Sequence, residues 1–163
     1  MKQYASHAIS WRGVTMAKQQ IILDEFFPYQ LVQLAQRVSA NLSQIYKDRF
    51  DLTVPEWRVM ACLGERERAT AKTIGEASFM DKVKTSRAIK SLQTKGLLKK
   101  EQDPHDSRAY WISLNAKGKQ HYKALTPEAL RWENQLLTGL TAKEQGQLRH
   151  ILEKLRGHLN TMN

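Results

Sequence analysis

The positively charged side chains between residues 81 and 108 are the groups in this chain best suited to bind a polyanion. This stretch holds eight Lys or Arg residues and four Asp or Glu residues within 28 positions. Lysine and arginine bind phosphate oxygens, and such contacts give affinity for nucleic acid without selecting a base sequence. A solvated helix face that carries lysines for solubility is the alternative interpretation.

Some side chains of this stretch can also distinguish bases. Arg87 can form two hydrogen bonds to guanine, Ser86 can donate or accept one, and Val83 can contact a thymine methyl group. The expected DNA-binding residues are Lys82, Val83, Lys84, Ser86, Arg87, Lys90, Lys99, Lys100, Asp106 and Arg108.

Arg108 occupies the tip of a predicted hairpin loop, Asp-Pro-His-Asp-Ser-Arg. An arginine there suits the negative potential of a narrow, A·T-rich minor groove. Asp106, two residues earlier, is placed to pair with Arg108 and orient it. The alternative for this pair is an ordinary surface ion pair, worth roughly 0–1 kcal/mol.

The remaining reactive residue types do not form a recognisable catalytic or metal-binding pattern. The five histidines are scattered without an i, i+4 pair, at His7, His105, His121, His150 and His158. No glycine-rich phosphate loop or nucleophile motif is present. We therefore expect no catalytic residues, no metal and no cofactor. Cys62 is the single cysteine, which fits a reducing cytoplasm, and it is either a small core residue or a redox sensor.

The overall charge of the chain also indicates an anionic binding partner. The formal net charge is +10 and the isoelectric point is about 9.8, which indicates nucleic acid or an anionic membrane surface, or a basic surface that serves solubility alone. No run of residues approaches the length of a membrane span, and no signal-peptide core is present, so we expect a cytoplasmic protein without a membrane partner. Residues 1–20 are expected to form a loose arm, and Met16 is a possible alternative start.

Helical periodicity and capping signals divide the first half of the chain. Apolar residues recur at helical spacing from about Tyr29 to Phe50. A Thr-x-x-Glu capping box at Thr53 opens a second helix, which we expect Gly64 to end. Thr70 is expected to cap a short helix with Ile74 and Ala77 facing inward, followed by a turn at residues 79–80.

The next helix begins at Asp81 and ends at Gly96, with Thr85, Ile89 and Leu92 facing the core. Residues 98–102 and 110–114 are predicted strands of a hairpin. Asn115 caps a further helix that Pro127 is expected to kink or restart. A second capping box, at Thr141 and Glu144, opens the last helix.

This order predicts a mainly α protein with a small β-hairpin wing, that is, a winged helix-turn-helix flanked by a helical dimerisation region. The expected divisions are a flexible arm at 1–28, the DNA-binding domain at 53–114, and the dimerisation region at 29–52 and 115–163. The apolar stripes of the flanking helices exceed what the small central lobe can cover. We expect them to pack on each other and on a second copy, with Leu42, Trp132, Leu152 and Leu155 buried there.

Three segments resemble the MarR family of bacterial transcriptional regulators: LTVPEWRVMACL at 52–63, DKVKTSRAIKSLQTKGLLKK at 81–100 and DPHDSRAYWISLNAKGK at 103–119. The resemblance extends from about Tyr29 to Leu159. Its most specific parts are the wing signature Asp103-Pro104-x-Asp106-x-Arg108 and the segment Leu114-Asn115-x-x-Gly118. The family more often has threonine where Asn115 stands, and both residues cap helices.

The resemblance implies a homodimer that places two winged lobes on a pseudo-palindromic operator in double-stranded DNA. Its recognition helix would be 81–95, with Val83, Lys84, Ser86 and Arg87 at the DNA-facing positions. Many members of the family are repressors that small phenolic or aromatic carboxylate ligands release. Such ligands bind between the dimerisation and DNA-binding lobes. Other members of the family sense oxidation through cysteine.

Tyr46, Trp57, Arg58 and His121 lie on the elements that line this cleft in the family. Each has a structural alternative: core aromatics for Tyr46 and Trp57, a surface or DNA-backbone residue for Arg58, and a helix-surface residue for His121. The expected function is a sequence-specific transcriptional regulator, a repressor released by a small aromatic effector. A non-specific or architectural DNA-binding protein, a redox sensor acting through Cys62, and an enzyme are the alternatives.

Overall fold

The computed structural model describes residues 20–104 and 110–162. The structure does not describe residues 1–19 of the expected arm, which include His7, or the wing-tip residues His105, Asp106 and Arg108. The elements run in chain order as α1 Phe27–Phe50, α2 Val54–Arg66, β1 Arg68–Ala69, α3 Ala71–Ser78, α4 Lys82–Thr94, β2 Leu98–Gln102, β3 Tyr110–Leu114, α5 Ala116–Leu137 and α6 Ala142–Thr161. This order confirms the predicted mainly α fold with a small wing.

Side-chain caps start the helices where the sequence predicts. The hydroxyls of Thr53 and Thr141 accept hydrogen bonds from the third residues of α2 and α6, and both capping boxes are complete. Asp81 and Asn115 cap α4 and α5 through their side-chain oxygens. Each cap provides an acceptor for an amide that has no partner within the helix. Gly96 follows α4 with a φ of 67°, a left-handed conformation that glycine adopts without strain.

The sheet has three antiparallel strands among the described residues, in the order β1-β3-β2. The hairpin pairs Leu98 with Leu114 and Gln102 with Tyr110, which confirms the predicted strand bounds. The sequence analysis did not predict β1, in which Arg68 pairs with Ser113 and Ala69 with Ile112. A two-residue strand is too short to show an alternating pattern.

Packing divides the chain after Arg37, and residues 38–163 form the larger unit. Its core joins α2, α3 and α4 to the base of the wing and to α5, through apolar side chains that include Met60, Ile74, Leu92, Ile112 and Leu125. Burial of such side chains is the main contribution to the stability of this lobe. In the smaller unit, residues 20–37, a turn at 23–25 precedes the start of α1 at Phe27.

Two local expectations are wrong. Gly64 does not end α2, which continues to Arg66; a Cβ atom at this position would lie 2.2 Å from the Tyr122 ring, so glycine makes room for an aromatic side chain. Ala77 is exposed, and Gly75 is buried on α3 instead. Of the two outcomes expected at Pro127, a kink or a restart, the restart is not seen, because α5 runs unbroken through this residue.

No side chain of α6 among residues 142–161 is buried within one chain. Its apolar stripe is open to solvent at Leu148, Ile151, Leu152 and Leu159. Leu130 and Leu136 of α5 are exposed as well. An apolar surface of this extent is unusual for a monomer and is typical of an interface with another chain.

Candidate nucleic-acid interface

The face of α4 that points away from the core carries all of the residues predicted there. Burial of Thr85, Ala88 and Ile89 fixes the rotation of the helix about its axis. The predicted DNA-binding residues of α4 are exposed on the opposite face: Lys82, Val83, Lys84, Ser86, Arg87 and Lys90. One helix therefore presents cations and candidate base-contacting groups on a single surface, which suits insertion into a major groove.

Asp81 fixes the beginning of this helix. Its Oδ1 accepts a 2.8 Å hydrogen bond from the Lys84 amide, and its Oδ2 lies 3.4 Å from Lys84 Nζ. The amide hydrogen bond, with a smaller contribution from the Lys84 ammonium, lowers the pKa of Asp81 below its usual value. The carboxylate therefore stays ionised and holds the start of α4 in place.

Glu56 ties α4 to α2. Its side chain accepts hydrogen bonds from the Thr53 amide at 2.7 Å, the Ser91 hydroxyl at 2.6 Å and Lys95 Nζ at 3.2 Å, although only 2% of the residue is exposed. Burial by itself raises the pKa of Glu56, but the hydrogen bonds from Ser91, Thr53 and Lys95 outweigh burial, and the net pKa is lowered. An ionised, fully bonded carboxylate thus lies between the two helices.

The wing adds cations beside the helix. Lys99 Nζ lies 3.0 Å from the Glu101 carboxylate, and Lys100 Nζ lies 3.8 Å from the centre of the Tyr110 ring. Both lysines are exposed. The roles expected for Asp106 and Arg108 fall on positions outside the described residues.

A groove of about 530 Å³ separates the α3 N-terminus, α4 and the wing. Lys72, Lys90 and Lys100 line it from three elements. The sequence analysis did not single out Lys72, because this lysine lies outside the basic stretch, although it directly follows the helix start capped by Thr70. Three lysines around one groove make it a suitable path for a phosphate backbone.

The four residues expected to bind a ligand do not line one cavity. Tyr46 is buried in the core and stacks on Trp57, with ring centroids 5.7 Å apart. His121 lies on α5, where it contacts the edge of the Phe50 ring and the Lys117 carbonyl. Trp57 and Arg58 line a common cavity between α2 and the end of α3, and neither Tyr46 nor His121 is among the residues that line it.

Cys62 is buried, and burial raises the pKa of its thiol. A raised pKa reduces the fraction of reactive thiolate, so the structure favours the core role of this residue over redox sensing. Within the described ranges, no group of three or more His, Cys, Asp or Glu side chains is placed to hold a metal ion. None of the helices of the described part is long and apolar enough to cross a membrane.

Comparison with known proteins shows that this chain is similar in sequence and in fold to bacterial transcriptional regulators. The profile of the MarR family matches residues 50–109. The HTH-type transcriptional regulator YwaE of Bacillus subtilis is 28% identical over 131 residues, which cover 80% of this chain and 77% of the relative. The crystal structure of a MarR/EmrR family transcriptional regulator from Acinetobacter sp. ADP1 superposes with a TM-score of 0.78 at 28% identity, over 86% of this chain and 99% of that one.

A more distant structure shares the fold. It is that of BpsR from Bordetella bronchiseptica, determined for the regulation of its DNA binding by 6-hydroxynicotinic acid. The TM-score is 0.75 at 22% identity, over 84% of this chain and 97% of BpsR.

Proposed function

We propose that the chain is a transcriptional regulator of the MarR family and that it binds a specific operator in double-stranded DNA through α4 and the wing. The observation that carries this proposal is the exposed face of α4, where Arg87 and Ser86 stand among the lysines. Arginine and serine can bond to base edges, whereas lysines at the rim bind phosphates of any sequence.

The proposed contacts divide into two kinds. Val83, Ser86 and Arg87 contact base edges in the major groove. Backbone phosphates are bound by the lysines of α4 and the wing, namely Lys82, Lys84, Lys90, Lys99 and Lys100, together with Lys72 on α3. Arg108, oriented by Asp106, enters the adjacent minor groove.

We propose that the protein binds this operator as a homodimer. The dimerisation region comprises residues 29–52 and 115–163, and the DNA-binding domain comprises 53–114. The uncovered apolar side chains of α5 and α6 support this division, because burial against a second copy removes them from water. Two winged lobes related by a two-fold axis match a pseudo-palindromic site with half-sites about one helical turn apart.

We further propose that the regulator is a repressor released by a small aromatic acid. Trp57 supplies an aromatic wall and Arg58 a cation, while Tyr46 supports Trp57 from the core side. BpsR, whose DNA binding is regulated by 6-hydroxynicotinic acid, shares the fold and so supports this class of effector. A ligand that favours one arrangement of the lobes by about 1–3 kcal/mol weakens DNA binding 5- to 150-fold.

Footprinting on the promoter region beside the gene for this chain tests the proposal. A discrete protected palindrome, with at least about 1,000-fold preference over random DNA at the same salt concentration, is the expected result. Uniform protection with a steep salt dependence contradicts sequence-specific regulation and identifies a non-specific or architectural DNA-binding protein.

A further inference from the structure

Lys95 is a basic residue of the stretch 81–108 that the proposed DNA contacts do not include. Its ammonium group bonds within the protein instead. Nζ lies 3.2 Å from Glu56 Oε1 and 3.3 Å from Asp51 Oδ2, and it donates a hydrogen bond to the Asp51 carbonyl oxygen. Only 28% of the side chain is exposed. The Lys95 cation therefore joins the end of α4 to α2 and to the residue that follows α1.

The Asp51 residue that Lys95 contacts closes the C-terminal end of α1. Asp51 has a φ of 49°, and the amide of the next residue, Leu52, donates a 3.0 Å hydrogen bond to the Tyr46 carbonyl. A left-handed residue followed by such a bond is a common helix ending, and aspartate adopts this conformation more readily than most side chains. Lys95 thus binds the point at which α1 leads into α2.

The start of α5 bonds to the same end of α4. Asn115 Nδ2 donates a 2.9 Å hydrogen bond to the Gly96 carbonyl, and the Asn115 amide donates one of 3.1 Å to the Leu97 carbonyl. Lys117 Nζ donates a 3.1 Å hydrogen bond to the Lys95 carbonyl. Carbonyl groups at the end of a helix have no partner within it, and here residues at the start of α5 provide the donors.

Two places along the chain join the proposed dimerisation region to the DNA-binding domain, residues 51–53 and residue 115. Both contact residues 95–97, directly after α4. The other end of α4, at Lys82, lies about 20 Å from Lys95 along the helix axis. A change of about 10° in the direction of the helix at Lys95 therefore moves its far end by about 3 Å, enough to break a hydrogen bond to a base edge.

We propose that Lys95 is a positioning residue for DNA binding. It does not contact DNA, but it holds the end of α4 against the link between α1 and α2, so that the dimerisation region sets the direction of α4. The contacts of Asn115 and Lys117 fix the same end from α5. The inference rests on the proposed function, because the direction of α4 matters when two copies of the helix enter one operator. Without the Lys95 contacts α4 samples more directions, and the fraction of dimers that fit both half-sites falls.

Pulsed electron resonance tests this inference by measuring the distance between the two copies of α4 in the DNA-free homodimer. A spin label at Lys82→Cys reports on the far end of the helix, in a Cys62→Ala background because Cys62 is the single cysteine. Lys95→Met should broaden or shift the distance distribution by about 3 Å or more. Lys95→Arg should keep the narrow distribution, since arginine pairs with the same carboxylates. Lys119→Met is the matched control at an exposed position of α5 and should change nothing.

Binding to the operator found by footprinting separates positioning from phosphate contact. Lys95→Met should weaken operator binding by about 10-fold. It should leave the slope of log K against log salt unchanged, whereas loss of a phosphate contact, as in Lys100→Ala, lowers the slope by about 1. Lys117→Met removes the contact from α5 while Lys95 stays in place, and it should also broaden the distances. All distances are measured well below the melting temperature of each variant, so that a loss of stability alone does not change them.

A distance distribution that neither Lys95→Met nor Lys117→Met changes, or a salt slope that falls by about 1 in Lys95→Met, overturns the proposal. The absence of any distance between subunits in the wild type also overturns it, because the proposal needs a dimer. An intact wild-type footprint with unchanged distances refutes only the role of Lys95. A missing wild-type footprint with broadened distances in the variants refutes the proposed function and supports the link between the dimerisation region and α4.

Discussion

The hydroxyl of Ser91 on α4 donates a 2.6 Å hydrogen bond to the buried carboxylate of Glu56 on α2. Lys95, at the end of α4, contacts the same carboxylate and also the Asp51 carboxylate at 3.3 Å. Two contacts from α4 thus converge on one side chain of α2. Hydrogen bonds and ion pairs therefore hold α4 in place in addition to its apolar face.

Glu56→Ala should destabilise the protein by roughly 3 kcal/mol. The substitution leaves the Ser91 hydroxyl and the Thr53 amide without their acceptor and removes one of the two carboxylates that pair with Lys95. Urea unfolding measures the change. Glu144→Ala is the matched control, since Glu144 forms the same capping box with Thr141 but is exposed and has no partner on another helix. A control variant that loses as much stability as Glu56→Ala contradicts the importance of the link between the helices.

The same carboxylate should make stability depend on pH. Because the folded state lowers the pKa of Glu56 below the ordinary value of 4.5, its ionised form contributes stability above pH 4.5. This contribution is lost as the pH falls through the lowered pKa. Comparing the urea unfolding of the wild type and Glu56→Gln from pH 6 to pH 3 isolates the effect. The difference in stability between them should shrink on acidification, and a constant difference refutes the assignment.

Arg87→Ala should weaken binding to the operator by about 1–3 kcal/mol and relax the preference at one base pair. Lys100→Ala should weaken binding to all sequences alike and reduce the slope of log K against log salt by about 1. Gel shifts with operator and random DNA at several salt concentrations compare the two variants. Equal losses on both DNAs for Arg87→Ala would remove its role in base recognition.

Leu152→Asp should separate the dimer. The substitution places a charge in the apolar stripe of α6, at a cost of several kcal/mol if a second copy covers that stripe. Lys154→Asp is the control, because it introduces the same side chain about 200° around the helix. Sedimentation at micromolar concentration should find a monomer for the first variant and a dimer for the second. A dimeric Leu152→Asp protein would show that the interface lies elsewhere.

Phe79→Gly should stabilise the fold by about 1 kcal/mol, since it removes left-handed strain while only a small part of the ring is buried. Thermal unfolding measures the gain. A variant that is less stable than the wild type would mean that the ring contributes to packing within the chain.

Local signals in the sequence predicted the elements well, and long-range packing explains most of the errors. Caps at Thr53, Asp81 and Asn115 depend on residues within one helical turn, so their positions could be predicted. The role of Gly64 could not, because the ring that requires it belongs to Tyr122, 58 positions later in the chain.

The candidate sites divide in the same way. The spacing of apolar residues along α4 shows which face of this helix is buried, so the residues on its exposed face could be predicted from the sequence. The cavity between α2 and the end of α3 is formed by side chains from two helices, so no pattern within one helix predicts it.

The short strand β1 has a mechanical consequence for how this protein can respond to an effector. It connects α2 to α3 and pairs with β3, so it fastens the base of the hairpin to the helices that carry α4. The base of the hairpin therefore cannot rotate independently of those helices, and we expect the wing and α4 to move together as one rigid unit. In a dimer, the distance between the two lobes then depends on the two links that lead into each lobe, at residues 51–53 and 115. Substitutions in these links should change the number of base pairs that the dimer accepts between two half-sites, while the bases contacted within each half-site stay the same.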